Sequence, residues 1–368
     1  MRILHLTTFL QGGAGRIIAA LAVAQRQRGH TVTVVADDGG EEGYASYPEY
    51  LSALTAADVR VATVRSTFRR ELPLTMQAAR QVRAIAGDAP PDVVHTHAAI
   101  PTLVARVAFG RAHVRVVQTM HGWGISKTPD QAATDITLLG AADAIVTPSA
   151  AARDTLRTLG LTAPVEVVPY GLEPTPSARR VEPADAERIG RLRREGRAVA
   201  LCTGTIGARK NQALLVEALA AADGVAAVFV GDGDSTALVD LAAARGVADR
   251  VLVLGYREDA SRYLSAADVF VLPSRNEGLP IAVLEALRAG VPVVATALAE
   301  IAEAVDDGRT GCLVPPDDAA ALAGALRRTV APGARAAFGD AGREVFAARY
   351  RLDAMTRAYE RLYAATPA

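Results

Sequence analysis

The chain has 368 residues, of which 50% are hydrophobic and 22% are charged, and its 40 Lys and Arg residues balance 40 Asp and Glu residues. This balance, together with an aromatic content of only 5%, argues against nucleic acid as a partner, since phosphates attract a cationic surface and bases stack on aromatic side chains. The length favours two domains, and the hydrophobic content is sufficient for a buried core in each.

Two cysteines, Cys202 and Cys312, lie in apolar, strand-like settings without a metal-type spacing. We interpret them as small buried hydrophobic residues in a reducing compartment. The N-terminal apolar run is too short for the core of a signal peptide, and no apolar run is long enough to span a bilayer. We therefore expect a cytoplasmic protein, and attachment to the inner face of the membrane stays open.

The N-terminal segment predicts a strand at residues 2–6, a glycine-rich loop up to residue 16 and a helix from Ile17. A second strand follows near residue 32, and this order of elements is typical of a doubly wound α/β domain. The loop lacks the spacing of a dinucleotide-binding fingerprint. Gly12 and Gly13 therefore indicate either a tight turn or a close approach of the backbone to a ligand.

Residues 65–83 combine several arginines with apolar side chains. Such a basic amphipathic segment is typical of a solvated helix face, and it also suits a helix that lies on an anionic membrane surface. Peripheral membrane contact is therefore one expectation for this segment. The arginines are Arg65, Arg69, Arg70, Arg80 and Arg83.

A strand at residues 92–97 ends in His95 and His97, whose spacing places them on the same face. A metal could use both, but no third ligand follows at a suitable spacing, so a structural pair is favoured over a metal site. The next strand, at residues 114–120, delivers His121 to its carboxyl end. Because open α/β sheets bind ligands at that edge, His121 is a candidate site residue.

A proline- and arginine-rich stretch at residues 173–197 predicts a linker and an exposed helix. A second α/β domain then begins with a strand at residues 199–203, followed by a loop with Arg209 and Lys210 and a helix from Gln212. Two cations at the entrance to a helix suit a diphosphate that gains charge as it leaves, whereas the alternative is a pair of exposed surface cations. Downstream, Asp232-Gly233-Asp234 favours a turn over a metal motif.

The stretch around residues 268–296 predicts a buried strand, a polar loop, a helix ending before Gly290, and another strand. Pro280 is expected in the first helical turn. Glu277 lies at the entrance to this helix, and Glu285 lies inside it. A helix N-terminus receives phosphate, and a carboxylate on either side could accept hydrogen bonds from hydroxyls. This layout matches a nucleoside-diphosphate sugar, although either Glu alone is more often structural.

The run from Glu277-Gly278-Leu279-Pro280 to Glu285 resembles the E-x7-E motif of retaining GT-B-fold glycosyltransferases of the group 1 type, and the resemblance extends over nearly the whole chain. It implies two Rossmann-like doubly wound parallel-sheet domains that face a cleft. Residues 1–170, completed by a C-terminal helix at 350–368, would form the acceptor-side domain. Residues 171–349 would bind the nucleotide sugar.

The resemblance also implies the roles of individual residues. His121 and Glu277 would be catalytic, and the donor-binding residues would be Gly12, Gly13, Gly204, Thr205, Arg209, Lys210, Tyr256, Gly278, Leu279 and Glu285. Two departures from the family pattern stand out. Thr205 replaces the usual Arg, and Ala299-Glu300 replace the usual pair of glycines.

The implied reaction is transfer of a sugar from a nucleoside-diphosphate sugar to a hydroxyl of a sugar, a glycan, a lipid-linked glycan or a small molecule. The anomeric configuration would be retained, without a cofactor or a metal. Two alternatives stay open, namely a phosphorylase or epimerase on the same fold and a non-catalytic nucleotide-sugar-binding protein. The sequence does not predict the base, the sugar, the acceptor or the oligomeric state.

Overall fold

The computed structural model describes residues 1–38, 45–65, 70–110, 114–124, 127–176, 179–331 and 333–365. The chain divides into two compact units. The first comprises Met1–Leu172 and Arg351–Ala368, and the second comprises Glu173–Tyr350.

The first unit contains a seven-stranded parallel sheet in which the strand order is β3-β2-β1-β4-β5-β6-β7. The connections run outwards from β1 in one direction and then from β4 in the other, so the order reverses between these two central strands. The strands are β1 (Arg2–Leu6), β2 (Thr31–Asp37), β3 (Arg60–Val64), β4 (Val93–Thr96), β5 (Arg115–Thr119), β6 (Ala144–Thr147) and β7 (Val165–Val167). The helices between them are α1 (Gly12–Gln27), α2 (Pro48–Ala56), α3 (Leu72–Ala86), α4 (Ala99–Phe109), α5 (Pro129–Leu139) and α6 (Ala150–Thr158).

The second unit contains a six-stranded parallel sheet in the order β10-β9-β8-β11-β12-β13, which reverses between β8 and β11. The strands are β8 (Ala198–Thr203), β9 (Val225–Val230), β10 (Val251–Gly255), β11 (Val269–Leu272), β12 (Val293–Thr296) and β13 (Gly311–Val314). The helices are α7 (Pro183–Arg194), α8 (Gln212–Leu219), α9 (Thr236–Ala244), α10 (Ile281–Ala289), α11 (Ala299–Ala302), α12 (Ala319–Val330) and α13 (Ala334–Arg349). These two sheets confirm the expected α/β fold with two Rossmann-like parallel-sheet domains.

The last helix, α14 (Leu352–Ala364), belongs to the first unit. Glu360 on this helix accepts hydrogen bonds of 2.7 Å from both Nε and Nη2 of Arg28. The Arg115 guanidinium donates to the carbonyl oxygen of Leu362 at 2.7 Å. The buried rings of Tyr359 and Tyr363 fasten the same helix to the interior of the unit.

Strands β9 and β11 are continuous apolar runs because a central strand of a parallel sheet is buried on both faces. All six residues of β9 and all four of β11 are buried. The alternation between polar and apolar residues that marks a half-exposed sheet is therefore absent from these two strands.

The first helix begins earlier than the sequence predicts. We expected a loop up to residue 16, but α1 begins at Gly12, so Gly13 and Gly15 lie in its first turn. A Cβ atom on Gly15 would lie 2.4 Å from the carbonyl carbon of Leu10, so this glycine permits close packing of the backbone. Gly12 has a φ of +55°, which favours glycine at the position where the chain enters the helix.

Candidate functional site

In the second unit, the loops that follow β8 and β11 bring a cation and a carboxylate together at the point where the strand order reverses. Lys210 Nζ lies 2.7 Å from Oε1 of Glu277. The Lys210 side chain is 15% exposed and that of Glu277 is 7% exposed, so the ion pair is largely shielded from water. Arg209 lies beside them, with Nη1 3.4 Å from the same carboxylate oxygen. In doubly wound sheets this position is the usual place for a ligand.

The two loops are also joined through their backbones. The Arg275 backbone N–H donates to the Arg209 carbonyl oxygen at 2.9 Å. The Arg209 guanidinium donates to the carbonyl oxygen of Asn276 at 3.2 Å. Asp317 holds the outer side of this arrangement, since its carboxylate accepts hydrogen bonds from Arg275 Nε at 2.8 Å and from Asn211 Nδ2 at 3.0 Å. The position of Lys210 against Glu277 is therefore fixed by several contacts.

Gly204 makes room for the Lys210 side chain. Its φ of +125° is a conformation that other residues rarely adopt, and a Cβ atom there would lie 3.2 Å from Lys210 Cε. Behind it, a Cβ atom on Gly231 would lie 2.1 Å from the carbonyl oxygen of Gly204. These glycines are thus required by packing within the protein. Thr205, the residue that departs from the family pattern, follows Gly204, and its carbonyl oxygen accepts a hydrogen bond from Gln212 at 3.1 Å.

Helix α10 begins next to the ion pair. Its N-cap is Pro280, so this proline lies one residue before the helix. The sequence predicts it in the first helical turn instead. Within the described part of the chain no side chain caps this end, and the first N–H groups of a helix have no acceptor within the helix. Leu279 is buried just before the cap, preceded by the partly buried Gly278. At the other end, Gly290 with a φ of +68° closes the helix, which confirms its predicted place.

Two further site candidates of the second unit, Glu285 and Tyr256, lie in α10 and directly after β10. Glu285 is buried in the second turn of α10, with 6% of its surface exposed. Tyr256 follows β10 and is 49% exposed. Asp234 Oδ1 accepts a hydrogen bond of 2.9 Å from the Thr236 backbone N–H. A hydrogen bond of this kind is expected if Asp232-Gly233-Asp234 forms a turn before the helix.

The two cysteines are both buried and free. Burial raises the pKa of the Cys202 thiol to about 12, so it carries no thiolate at neutral pH. Its location in β8 is consistent with the role of a small hydrophobic residue that we expected from the sequence.

In the first unit, His121 follows β5 and is partly exposed. Both of its ring nitrogens have protein partners. Nδ1 lies 2.7 Å from the Tyr170 hydroxyl, and Nε2 lies 3.0 Å from Nδ1 of His97. A substrate hydroxyl would therefore have to replace or share one of these partners.

A continuous series of hydrogen bonds leads from His121 into the interior of the first unit. From His97 it passes to His5 at 3.0 Å, then to Gln25 at 2.7 Å. Gln25 lies 3.1 Å from the Tyr363 hydroxyl, which in turn lies 2.7 Å from His95. We call this set the histidine network; its members, in order, are Tyr170, His121, His97, His5, Gln25, Tyr363, His95, Thr119 and Tyr359.

The sheet explains why these residues meet. His5 in β1 and His95 in β4 are direct neighbours in the parallel register, at the place where the strand order reverses. His97 follows β4, and Thr119 ends the adjacent strand β5. Helix α14 adds the tyrosines from the far end of the sequence. The sequence suggested no third histidine near His95 and His97, because His5 lies 90 residues earlier in the chain.

The interior keeps the imidazoles neutral. Burial lowers the pKa of His5 and His121 to about 4 from the usual 6.5. The pKa values of His95 and His97 are lowered well below 6.5, firstly by burial and secondly by the neighbouring histidines. Burial also raises the pKa of Tyr170 well above 10, so its hydroxyl keeps its proton.

Among the described residues, His5, His95 and His97 are the one group placed so that a metal ion could bind them, with ligand atoms within 4.8 Å of one another. Every ring nitrogen of these three histidines, however, already has a hydrogen-bond partner in the protein. A divalent cation would have to break several of these bonds, and no carboxylate belongs to the histidine network to offset its charge. The arrangement therefore suits three neutral imidazoles better than a metal.

The loop that carries His121 is anchored by a second set of contacts. Lys127 Nζ lies 3.7 Å from the centre of the Trp123 ring, and 2.8 Å from the buried carboxylate of Asp135. Arg70 donates two hydrogen bonds, of 3.0 and 3.1 Å, to the same carboxylate. Arg70 thus has a structural role, while Arg69 of the same basic segment lies outside the described residues.

The described part of the chain has no helix with the length and hydrophobicity that crossing a membrane requires. Within α3, Leu72 and Met76 are 69% and 39% exposed, and Arg80 is exposed one turn further along.

Solved structures share the fold of this chain, and curated proteins share parts of its sequence. HepE of Anabaena, solved in complex with UDP, superimposes with a TM-score of 0.82 over 98% of this chain and 99% of that protein, at 19% identity. Together with the two parallel sheets, this likeness defines the fold as GT-B. Residues 11–175 match the family described as Glycosyltransferase Family 4, and residues 197–331 match the family described as Glycosyl transferases group 1.

Among curated proteins, the D-inositol 3-phosphate glycosyltransferase of Xylanimonas cellulosilytica is 31% identical over 300 residues, which cover 74% of this chain and 72% of that protein. The chain therefore belongs to the group 1 glycosyltransferase family. A lipopolysaccharide core biosynthesis glycosyltransferase of Rhizobium meliloti is 34% identical over 171 residues, which cover 46% of this chain and 50% of that protein. The chain spans about half the length of several curated relatives that it matches.

Proposed function

We propose that the protein is a retaining glycosyltransferase, which transfers a sugar from a nucleoside-diphosphate sugar to a hydroxyl of a sugar, glycan or lipid-linked acceptor. The observation that carries the proposal is the ion pair between Lys210 and Glu277, located beside the uncapped N-terminus of α10. Membership of the glycosyltransferase family supports the reaction class.

Lys210 is suited to hold the diphosphate. An ammonium group has three N–H donors, and in this structure Glu277 accepts one of them at 2.7 Å. The other donors could reach phosphate oxygens, and the N–H groups at the start of α10 add partial positive charge. Arg209, half exposed beside the pair, would add a second cation as the leaving diphosphate gains charge.

Glu277 and Glu285 would then bind the two ends of the donor. Glu277 is held at the loop by two cations, so its second carboxylate oxygen could accept a hydrogen bond from a donor-sugar hydroxyl. Glu285 lies in the second turn of α10, and we assign it to the ribose side of the diphosphate. Gly204, Thr205, Gly278 and Leu279 would form the backbone of this pocket, and Tyr256 would lie near the base.

We assign His121 to the orientation of the donor sugar, and Gly12 and Gly13 at the start of α1 to the donor phosphates. Replacing His121 with Ala should then lower transfer strongly and leave nucleoside-diphosphate affinity nearly intact, since the diphosphate is assigned to the second unit. Wild-type transfer rates in this variant would show that the imidazole is structural only.

The leaving group would be stabilised by Lys210, Arg209 and the N-terminus of α10, without a metal and without a cofactor. We therefore expect activity to survive EDTA. Complete loss that added metal restores would instead favour a ligand role for Asp232 and Asp234.

The test begins with a thermal-shift screen against UDP, GDP, ADP and dTDP, since a ligand that binds only the folded state raises its stability. The matching nucleotide sugar is then incubated with simple glycosides, and NMR reports the anomeric configuration of the product. Transfer with retention is expected. Inversion would refute the retaining mechanism, a product formed from the donor alone would favour an epimerase, and binding without turnover would favour a non-catalytic protein.

We also propose peripheral contact with an anionic membrane through α3, because its exposed Leu72 and Met76 lie one turn apart and Arg80 follows. At low salt, the protein should co-sediment with vesicles of phosphatidylglycerol and phosphatidylcholine. Double substitution of Leu72 and Met76 with Ser should abolish this binding. Equal sedimentation of variant and wild type would remove α3 as the contact.

A further inference from the structure

The histidine network constrains where its protons lie. Each of its eight hydrogen bonds requires one proton, and a neutral histidine has one ring N–H and one ring acceptor. A histidine that receives a hydrogen bond at one nitrogen must therefore donate from the other. As a result, the tautomers of the linked histidines are set together and not independently.

The Gln25 amide determines which atom is the donor in each hydrogen bond from His5 to His121. Its Oε1 faces His5 Nε2 at 2.7 Å, so His5 donates from Nε2 and accepts at Nδ1. His97 must then donate its Nε2–H to His5, across 3.0 Å, and accept at Nδ1. That acceptor faces His121, which must therefore donate from its own Nε2.

The other side of the amide gives the same result for His95. Gln25 Nε2 donates to the Tyr363 hydroxyl at 3.1 Å, so that hydroxyl donates to His95 Nδ1 at 2.7 Å. His95 then donates from Nε2 to Thr119, at 2.8 Å. All four histidines thus carry the proton on Nε2. The opposite arrangement, with every proton on Nδ1, requires the Gln25 amide turned by half a rotation.

We propose that His97 is a positioning residue for the glycosyl transfer, which accepts the His121 Nε2–H and thereby leaves His121 Nδ1 as an acceptor for a hydroxyl group. This inference rests on the proposed function of His121. The Tyr170 hydroxyl, 2.7 Å from Nδ1, occupies the place that a donor-sugar hydroxyl would take or share. His121 would then accept a hydrogen bond from the sugar without being able to donate one.

The position of His97 supports this role. It is 8% exposed, its ring plane is inclined by 25° to that of His121 with centroids 5.2 Å apart, and its second nitrogen is held by His5. It therefore cannot reach the substrate itself, yet it determines both the orientation and the tautomer of the residue that is placed to do so. Burial keeps all these imidazoles neutral at pH 7, which the pattern of alternating donors and acceptors requires.

The first experiment is NMR of the full chain with 15N-labelled histidine at pH 7, because ring nitrogen shifts distinguish a protonated from an unprotonated nitrogen. His121 is identified by the signal lost in His121→Ala. We expect the proton on Nε2 of His121 in the wild type. A proton on Nδ1 would overturn the proposal.

Two variants separate the partners of His121. Replacing His97 with Phe, which retains a ring but offers no acceptor, should give a mixture of both His121 tautomers. Replacing Tyr170 with Phe removes the other partner and should leave the proton on Nε2. His30→Gln is the matched control, since His30 contacts Glu360 in the same unit and lies outside the histidine network. An unchanged His121 tautomer in a folded His97→Phe protein would overturn the proposal. If that variant does not fold, the wild-type and Tyr170→Phe spectra still decide the direction.

The consequence for transfer is measured with the nucleotide sugar identified by the donor screen. His97→Phe should lower kcat about five- to ten-fold, as expected for the loss of one positioning hydrogen bond, with little change in the Kd of the nucleoside diphosphate. His97→Gln, whose amide offers both an acceptor and a donor, should restore part of the rate. A kcat equal to that of the wild type in His97→Phe would overturn the proposal. Absence of transfer in the wild type would refute the proposed function, while the tautomer measurement would stand by itself.

Discussion

The two sheets reverse their strand order in the same way but place different chemistry at that point. In the second unit, the reversal between β8 and β11 holds charged groups, namely the Lys210–Glu277 ion pair and Arg209. In the first unit, the reversal between β1 and β4 holds neutral imidazoles, with His5 and His95 side by side. The topology therefore supplies a location, and the residues at and after the central strands decide its use.

The difference arises from where the polar residues lie along the strands. Lys210 and Glu277 lie in loops beyond the strand ends, where a ligand can reach them. His5 and His95 lie within the strands and are fully buried. The charges are tolerated in the first case because they are paired, and neutral hydrogen-bonded rings are the form that the second environment favours.

The largest effect is expected from the charged site. Glu277→Gln keeps the shape but removes the charge, so turnover should fall about 100-fold while nucleotide affinity changes little. Glu285→Gln should show the reverse, with nucleotide affinity weakened and turnover at saturating donor less affected. Kinetics combined with calorimetry separate the two, and Glu258→Gln, at an exposed surface pair with Arg179, is the control. Equal effects of both changes on both measurements would refute the division of roles.

Removing the cation should weaken binding directly. In Lys210→Ala, nucleoside-diphosphate binding should lose on the order of 1.5–3 kcal/mol, the contribution of a charge-assisted hydrogen bond to phosphate. Calorimetry with the nucleotide found in the screen measures this loss. Arg191→Ala, which removes a cation that is 79% exposed, should leave the affinity unchanged. An affinity equal to that of the wild type in Lys210→Ala would exclude Lys210 from the site.

The histidine network should make the free energy of unfolding of the first unit depend on pH. The pKa of His5 and of His121 is lowered from 6.5 to about 4 in the folded protein. Between these pH values the unfolded chain therefore binds more protons than the folded protein does. The stabilisation is complete above pH 6.5 and is lost as the pH falls from 6.5 towards 4. We expect a loss of a few kcal/mol, since each pKa unit corresponds to about 1.4 kcal/mol.

Urea unfolding can follow this loss in the first unit alone, because Trp123 is the only tryptophan in the chain. The decisive interval is between pH 6.5 and 5, above the range in which most carboxylates titrate. Constant stability across that interval would show that the imidazoles are not held neutral by the fold.

The smallest effect is expected at the end of the histidine network. Tyr359→Phe removes the hydroxyl that lies 2.8 Å from Thr119 and should lower the free energy of unfolding by about 1 kcal/mol. Tyr50→Phe removes an exposed hydrogen bond to the Gly12 carbonyl oxygen and should cost less. A larger loss in Tyr50→Phe would contradict the view that burial strengthens the bonds of the network.

The sequence predicts the fold and the loops that carry Lys210 and Glu277 because both depend on local patterns. Apolar runs followed by glycine-containing loops identify strand ends, and strand ends of a parallel sheet share one edge. The start of α1 was misplaced, since its glycines looked like a loop although Gly15 is required for packing against Leu10. The histidine network could not be predicted, because it joins residues from β1, β4, β5 and α14 that no local pattern relates.

The contribution of α14 to this network has a consequence for the order of folding during synthesis. The second unit is one continuous segment, Glu173–Tyr350, whereas the first is completed only by residues from 351 onwards. Until Tyr359 and Tyr363 emerge from the ribosome, Thr119, His95 and Gln25 lack their buried partners. The part of the protein that is made first therefore reaches its native interior last, and a chain shortened before α14 would leave these polar groups uncovered.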